Sequence, residues 1–456
     1  MKRLLLIVIL LVLAGCTATR EVHITDIPPW YSPSVLNVSV GDTVVWDNGM
    51  AAVVHPVNIL DGPEKFSSGH FTKTWERTFT EPGVYHYFCP IHPYMQGFIA
   101  VDAEVDPAKI PYWLSWPPAA AEKQVPGPVP ATPGVGEVWL DAQFQKVLGK
   151  SKPGAIIVVD ASMWGVTQVI NDQRLNNPHN MWLSDDGAFV IQTNWFDKYV
   201  SIIDAKTKEI VRHVYVGESP AHVMTANGLA YVTVQGDDGI VILNGTTFEK
   251  TKTFRTVGGE HAHGDEHSEL GRGPHGNWLS MDGMRMAVAH TEGGGISIWD
   301  AVAMEKLWEQ AIDPLPLMAG ISDDGMFAWV ASFATGRFTA YDVGTQEVIA
   351  DFIVGKNPVQ SIPSPDGKYI TVALSGDGAA AIIDAHTFKL IKTLPSGAGA
   401  HGVYYGPKQG GGWYAYVSNK FVTWITVIDM DALEIAGYIP LPKESLGGQG
   451  ILAVYE

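Results

Sequence analysis

The chain has 456 residues, of which 46% are hydrophobic and 17% are charged, so it can bury large cores and is expected to form more than one globular domain. Its net charge of −18 argues against a nucleic-acid partner, because phosphate groups are bound by a basic surface. A disulfide framework is excluded as well, since the two cysteines stand in unrelated local motifs.

The N-terminus has the pattern of an export signal. Met1-Lys2-Arg3 precedes about ten apolar residues, which are too few to span a bilayer and are typical of a signal peptide. The segment closes with Leu13-Ala14-Gly15-Cys16, which resembles the bacterial lipobox. The resemblance implies a signal peptide at 1–15, lipid attachment to Cys16, a tether at 16–20 and an extracytoplasmic protein anchored to the membrane. An ordinary signal peptide with a chance cysteine is the alternative.

Residues 21–103 are predicted to form a small β-sandwich. Apolar and polar residues alternate over 35–40, and Gly41-Asp42 and Pro82-Gly83 are turn signals. The Gly-Asp-Thr-Val-x-Trp strand, the Pro-Gly-x-Tyr-x-Tyr-x-Cys approach and the closing Met-x-Gly resemble the cupredoxin family. That resemblance implies a cupredoxin sandwich.

A short stretch at the end of this segment contains three soft or borderline metal ligands, Cys89, His92 and Met95. Two histidines, a cysteine and a weak axial methionine form the blue-copper electron-transfer set, and His55 supplies the missing histidine. The Cys-x₂-His-x₂-Met spacing is most similar to that of amicyanin, in which one short loop carries three of the four ligands. The sequence therefore predicts a mononuclear type 1 copper, with a free core cysteine as the alternative. The family resemblance also implies that His92 is exposed and exchanges electrons, whereas Pro56 stands where the family usually has a polar residue.

Residues 104–136 are predicted to be an interdomain linker. Eight prolines stand in the stretch from Asp106 through Pro133, and such a segment is extended and semi-rigid. It could carry the first domain away from the following one or back over it. Trp113 and Trp116 could dock the linker on a neighbouring surface.

An internal repeat fills residues 137–456. Strands rich in Val and Ile end in an acidic or amide turn seven times, at Asp160, Asp204, Asn244, Asp300, Asp342, Asp384 and Asp429. Four short strands in each such interval are typical of a propeller blade, and the tail at 450–455 is expected to complete the first blade and close the ring. The segment resembles seven-bladed propellers of the YVTN and lactonase-like group, to which the catalytic domain of nitrous oxide reductase also belongs. The predicted fold is all-β: a cupredoxin β-sandwich followed by a seven-bladed β-propeller.

Histidines gather where the innermost strands of the blades begin, close to one mouth of the predicted central channel. The candidates are His179, His222, His275 and His401 at blade starts, His290 at a strand end, and His261, His263 and His267 in an insertion. Imidazole rings on several blades suit copper or zinc, so a second, multi-histidine copper centre is predicted. The alternatives are structural histidines at blade starts and an insertion that binds metal only at the surface.

A one-electron carrier joined to a multi-histidine centre suggests a redox enzyme that reduces a small molecule. Nitrous oxide reductase is the nearest resemblance, but its cupredoxin domain is C-terminal and holds a binuclear copper through two cysteines. Its ligand set therefore cannot be transferred residue by residue, and Leu317 and Val359 occupy blade starts without a histidine.

Other functions stay open at this point. The chain could be an electron-transfer protein whose propeller docks a redox partner protein, or it could bind and deliver copper. A homodimer with electron transfer between subunits is also possible. A lactonase is disfavoured, because no cluster of carboxylates is visible in the repeats.

Overall fold

Strands dominate the computed structural model, which describes residues 17–25, 29–51, 55–90, 92–111, 114, 124–145, 154–257, 269–443 and 445–455. Cys16, both linker tryptophans and the insertion histidines His261, His263 and His267 lie outside these residues. Within them, the helical elements are short 3₁₀ turns at Pro107–Lys109, Gln235–Asp237 and Glu269–Gly271. In the same ranges no helix has the length and apolar character needed to cross a membrane. The predicted all-β class is confirmed.

The N-terminal strands form two four-stranded sheets, ordered β2-β1-β4-β6 and β3-β8-β7-β5. The strands are β1 (Thr19–Ile24), β2 (Tyr31–Ser32), β3 (Val35–Val38), β4 (Thr43–Asp47), β5 (Asn58–Asp61), β6 (Thr74–Thr78), β7 (Gly83–Phe88) and β8 (Gln96–Val101). In β4, Val44 and Trp46 are fully buried while their neighbours are partly exposed, which is the alternation expected of a sandwich strand.

Aromatic rings fill the space between the two sheets. Trp46 packs against Trp75 and edge-on against Tyr87, with ring centroids 5.1 and 5.4 Å apart. Large rings in such contacts stabilise a core beyond simple area burial. They give β7 and β8 a rigid base, and the loop that joins these two strands carries three of the candidate ligands.

The strands that follow form seven four-stranded blades within the described residues. The first has β9 (Glu137–Gln145), β10 (Ala155–Asp160), β11 (Gly165–Asn171) and β36 (Ser445–Val454). The second and third have β12 (Pro178–Leu183), β13 (Phe189–Asn194), β14 (Tyr199–Asp204), β15 (Ile210–Tyr215), β16 (Pro220–Ala226), β17 (Leu229–Val234), β18 (Gly239–Asn244) and β19 (Lys250–Arg255).

The remaining blades repeat this four-strand pattern. The fourth and fifth have β20 (Pro274–Leu279), β21 (Arg285–His290), β22 (Gly295–Asp300), β23 (Glu305–Ala311), β24 (Pro316–Ile321), β25 (Phe327–Ser332), β26 (Arg337–Asp342) and β27 (Val348–Ile353). The sixth and seventh have β28 (Pro358–Pro363), β29 (Tyr369–Leu374), β30 (Ala379–Asp384), β31 (Leu390–Pro395), β32 (Ala400–Pro407), β33 (Trp413–Asn419), β34 (Trp424–Asp429) and β35 (Glu434–Pro440).

Closure of the ring depends on the C-terminal strand. β36 runs antiparallel to β9 and forms the innermost strand of the first blade, as the sequence predicted. Elsewhere innermost strands touch directly: Gly276 pairs with Met318 between the fourth and fifth blades. A Cβ atom at Gly276 would lie 2.5 Å from the Leu317 carbonyl oxygen, so only glycine permits this approach.

The recurring acidic turns have a local cause. Asp384 Oδ1 accepts hydrogen bonds from the backbone N–H groups of His386 at 3.0 Å and Thr387 at 2.7 Å, which fixes the turn after the third strand of its blade. The Ser-x-Asp-Gly turns are fixed in a similar way, since the Ser184 hydroxyl donates to Asp186 Oδ1 at 2.7 Å and Gly187 has φ +70°. Because each turn stabilises itself, the repeat is readable from sequence.

The second half of the linker lies along the propeller. The Tyr438 backbone N–H donates to the Pro128 carbonyl at 2.9 Å, and Trp164 Nε1–H donates to the Pro130 carbonyl at 3.0 Å. These bonds fix the linker around Pro128 and Pro130 on the surface of the propeller. Leu315, Phe333 and Phe421 of the propeller belong to the same buried cluster as the core of the sandwich.

Candidate metal centres

The ligand loop, residues 89–95, joins the end of β7 to the start of β8. The Cys89 backbone N–H donates to the Met95 carbonyl at 2.9 Å, so the two ends of the loop are tied together. Within the loop, the His92 N–H donates to the Cys89 carbonyl at 3.1 Å and the Met95 N–H to the His92 carbonyl at 2.8 Å. These bonds hold three candidate ligands in one fixed arrangement.

The fourth candidate, His55, comes from the segment just before β5. Pro56 has no N–H to brace this segment. The next residue does so instead: the Val57 N–H donates to the Ser68 hydroxyl at 2.8 Å, and the Ser68 N–H donates to the Val57 carbonyl at 2.9 Å. The departure from the family pattern at Pro56 therefore has a local compensation.

Three ligand atoms converge at this first centre. Cys89 Sγ lies 3.8 Å from His55 Nδ1 and 3.6 Å from His92 Nδ1, and the two nitrogens are 3.0 Å apart. Metal ions bind imidazole nitrogen at about 2.0 Å and thiolate sulfur at about 2.3 Å. Each separation is shorter than the corresponding sum of bond lengths, so one ion can contact all three atoms. Met95 is buried in the same hydrophobic cluster.

The first centre is closed to water. His55 and Cys89 are fully buried, and His92 is only 4% exposed. Burial lowers the pKa of His92 well below its usual value, and the nearby His55 and Lys420 lower it further. A neutral imidazole is the form that binds a metal. The donor set and the neutral form of His92 both fit copper.

A second group of histidines lies at the propeller mouth. His179, His222 and His275, near the starts of β12, β16 and β20, have ligand atoms within 4.8 Å of one another, and all three side chains are buried. A cavity of about 10 Å³, roughly the space of one water molecule, is lined by these residues and by His401. We call these four residues the blade-start cluster. Leu317 and Val359 line the same cavity at the blade starts that lack histidine.

Hydrogen bonds orient two rings of the blade-start cluster. His275 Nδ1–H donates to the Leu317 carbonyl at 2.7 Å, and His179 Nδ1–H donates a hydrogen bond to Gln449 Oε1. The two Nε2 atoms consequently face each other at 3.1 Å. Burial lowers the pKa of His275 to about 4 and that of His179 well below its usual value.

Two neutral rings of this kind direct lone pairs at each other. In a buried site such an arrangement is unfavourable unless a cation lies between the nitrogens. Hydrogen bonding of the far ring nitrogen to a carbonyl oxygen is also the usual support of a metal-binding histidine. The geometry therefore suits a copper or zinc ion.

The structure does not bring every predicted histidine into this group. His290 is buried elsewhere, with its Nε2 2.6 Å from the Ser297 hydroxyl, and it does not line the cavity. Burial lowers the pKa of His290 to about 3. His261, His263 and His267 lie outside the described residues.

The ligand loop covers the propeller mouth, which differs from the exposed His92 that the family resemblance implied. The His92 ring packs on Trp195 and Phe196, with centroids 4.7 and 4.0 Å apart. The Tyr94 hydroxyl donates a hydrogen bond to the Ser375 hydroxyl at 2.8 Å. The Tyr94 ring stacks on that of His401, with centroids 5.9 Å apart. The propeller thus occupies the face through which the family exchanges electrons.

Several residues of this region were not found by sequence reasoning. Gln449 lies on β36, the C-terminal strand that completes the first blade, and Trp195 directly follows β13; neither position belongs to a sequence motif. Lys420 is 1% exposed, with Nζ 4.7 Å from the centre of the Tyr94 ring, and burial lowers its pKa well below the usual value. Only the position of Gln449 on the innermost strand could have given a signal.

No model of a known protein family matches the chain. Its N-terminal part is similar to amicyanins. The amicyanin of Paracoccus denitrificans is 39% identical over 77 residues, and this match covers 16% of this chain and 58% of the relative. The amicyanin of Paracoccus versutus is 34% identical over 104 residues, covering 19% and 76%. Amicyanin-alpha of Methylorubrum extorquens is 33% identical over 72 residues, covering 15% and 60%. The match thus spans less than two thirds of the first of these relatives.

Two solved structures resemble the fold of the larger part. A chain of Kuenenia stuttgartiensis hydrazine synthase has a TM-score of 0.50 at 20% identity, over 61% of this chain and 89% of that one. A Bacteroides uniformis protein assigned as a 6-phosphogluconolactonase has a TM-score of 0.52 at 16% identity, over 70% and 99%. At such identities the likeness concerns the fold alone. Through its N-terminal cupredoxin domain, which is joined here to a propeller, the chain belongs to the amicyanin family.

Proposed function

We propose that His55, Cys89, His92 and Met95 hold a type 1 copper and that the chain transfers single electrons through it. The observation that carries this proposal is the convergence of Cys89 Sγ and two Nδ1 atoms within 3.0 to 3.8 Å in a buried site. Copper supplies one-electron oxidation and reduction when bound. The chain's own part is to hold the ligands still and to exclude water, through the backbone bonds of the ligand loop and the aromatic core beneath it.

We propose that the electron passes from this first centre to the propeller. We place a second copper centre in the blade-start cluster, with His179, His222 and His275 as ligands and His401 beside them. The facing Nε2 atoms of His179 and His275 support this assignment. Contact of the His92 ring with Trp195, which stacks on His179, brings the two sites together.

The second centre would reduce a small molecule, as in the family of nitrous oxide reductase that the propeller resembles. The cavity of about 10 Å³ admits only a very small ligand. The neutral, buried imidazoles keep the site free of competing protons, and the ligand loop shields it from bulk water on its own side. If the cluster binds no redox metal, the chain is an electron-transfer protein whose propeller only supports the cupredoxin domain.

The proposal extends to the location of the chain and to its redox partner. We propose that the mature chain is lipid-anchored through Cys16 on the extracytoplasmic side of a membrane. Its redox partner protein docks on a surface other than the His92 face, because the propeller covers that face. A net charge of −18 favours a partner with a basic docking surface.

The test of the first centre is the absorption spectrum of the copper-loaded full chain. We expect an intense band at about 600 nm, typical of copper bound to a thiolate, and its loss in Cys89→Ala. His86→Gln is the matched control, because His86 lies in the same domain with its Nε2 2.9 Å from Gln96 Oε1. It should keep the band. A Cys89→Ala protein that kept the band would contradict the assignment.

A further inference from the structure

One tryptophan lies between the two candidate centres. The Trp195 ring stacks on His179, with centroids 4.1 Å apart and planes 19° apart. It also contacts the His92 ring, with centroids 4.7 Å apart and planes 77° apart. Trp195 is 4% exposed, so no water layer separates these rings. A continuous contact of aromatic rings therefore links a ligand of the first centre to a ligand of the second.

A hydrogen-bonded chain reaches the same tryptophan by another route. The Gln235 side-chain amide donates to the carbonyl of Pro90, the residue next to Cys89, at 3.3 Å. Gln235 Oε1 accepts a hydrogen bond from Trp195 Nε1–H at 3.0 Å. Gln235 is 1% exposed and bonds in both directions, so its position is fixed. Trp195 is thus reached both from Cys89, through Pro90 and Gln235, and from His92 by direct ring contact.

We propose that Trp195 is the bridge for electron transfer between the two centres and that Gln235 positions it. The inference rests on the proposed function, since it needs a redox metal at each end. It goes further by naming the residue through which the electron passes. Contacts at van der Waals and hydrogen-bond distance couple donor and acceptor better than a gap does, and His92, Gln235 and Trp195 leave no such gap.

The step moves one electron and no atoms. With copper at both sites, the electron would leave a cuprous ion held by His55, Cys89 and His92, which would become cupric. It would reduce a cupric ion held by the blade-start cluster to cuprous. Trp195 is unchanged, and its Nε1–H stays donated to Gln235 throughout. No covalent bond forms or breaks, and no proton leaves the bridge.

The test uses the full chain loaded with copper at both sites. Pulse radiolysis reduces the first centre, and the return of its band at about 600 nm measures how fast the electron leaves. We expect Trp195→Leu to slow this return by at least about tenfold, equivalent to ~1.4 kcal/mol in the barrier. Trp195→Phe, which keeps a ring, should slow it less, and Gln235→Met should slow it while leaving the band itself unchanged.

The matched control is Trp164→Phe. Trp164 is also buried and also donates its Nε1–H to a carbonyl, that of Pro130, but it contacts neither centre. Its substitution should leave the rate unchanged. A Trp195→Leu protein as fast as wild type would overturn the bridge alone. If the band never returned in the wild-type protein, no electron would pass to the propeller. Both the proposed function and the bridging role of Trp195 would then be overturned.

A measurement on the metal-free protein tests the positioning role independently. The indole N–H signal of Trp195 is identified by its disappearance in Trp195→Phe. We expect this N–H to exchange slowly with deuterium in wild type and faster in Gln235→Met, because the substitution removes its acceptor. Equal exchange in both proteins would show that Gln235 does not position Trp195.

Discussion

Gln449 determines which nitrogen of His179 faces the cavity. Its Oε1 holds His179 Nδ1, and its own amide donates to Asn177 Oδ1 at 3.1 Å, so the orientation of both side chains is fixed. The Leu317 carbonyl does the same for His275. In each case a neighbouring oxygen atom, and not the histidine alone, leaves a free Nε2 lone pair for a metal.

Replacing Gln449 by methionine should therefore weaken metal binding without removing a ligand. We expect roughly 10- to 100-fold lower affinity at the second centre, the usual cost of losing a partner of a ligating histidine. Competitive titration of copper or zinc into the full chain measures it. Gln409→Met, at an exposed position, is the control and should bind as wild type does. Unchanged affinity in Gln449→Met would exclude the orienting role.

His290 gives a test of burial that does not depend on metal. Its pKa is lowered by burial to about 3, whereas the unperturbed value is 6.5. Between these values the unfolded chain binds the proton more tightly, so the stability contributed by neutral His290 is complete above pH 6.5 and is lost as the pH falls. The expected loss is ~1.4 kcal/mol per pH unit in the free energy of unfolding.

His290→Gln removes this titration. Denaturant unfolding of metal-free wild type and variant at pH 6.5 and pH 5 should show a smaller acid-induced loss in the variant, by about 2 kcal/mol over that interval. Identical pH dependence in the two proteins would mean that His290 is protonated as easily in the folded state as in the unfolded one.

The ligand loop is the element that joins the two domains. Tyr94 lies between the candidate ligands His92 and Met95 in sequence. Its ring packs against those of Phe333 and Phe421, with centroids 5.2 and 6.3 Å apart. The same short loop therefore carries three of the candidate ligands and docks the domain on the propeller. Movement of the loop would disturb both.

A double-mutant cycle on Tyr94 and Ser375 measures this docking. Tyr94→Phe and Ser375→Ala each remove the 2.8 Å hydrogen bond between their hydroxyl groups, so the two effects should not add. We expect a coupling of about 1 kcal/mol in the free energy of unfolding. Tyr31→Phe is the control, because the buried Tyr31 hydroxyl has no hydrogen-bond partner among the described residues. Full additivity of Tyr94→Phe and Ser375→Ala would contradict the contact.

These elements also indicate what the sequence could predict. The spacing of Cys89, His92 and Met95 is local, so one short loop is readable directly, and the blade turns recur because each is stabilised by its own Asp or Ser. The roles of Trp195, Gln235 and Tyr94 depend on how one domain docks on another, over more than a hundred residues of sequence. No local pattern records such a contact. His290 was misplaced for a related reason, because the direction of a side chain at a strand end is set by packing.

At the scale of the whole molecule, the cupredoxin domain closes one mouth of the propeller channel. The His92 ring and the adjoining side of the blade-start cluster therefore lie within the contact between the two domains. The acidic chain, with net charge −18, adds an attraction for a basic partner. The two groups of candidate ligands are therefore neighbours across the domain contact.

We propose above that two copper centres lie on either side of the contact between the cupredoxin domain and the propeller. Diffraction from crystals of the copper-loaded full chain, with data collected on both sides of the copper absorption edge, locates the metal directly. We expect one anomalous peak among His55, Cys89 and His92 and another among His179, His222 and His275. A single peak at the first site, with the blade-start cluster empty after copper loading, would contradict the account.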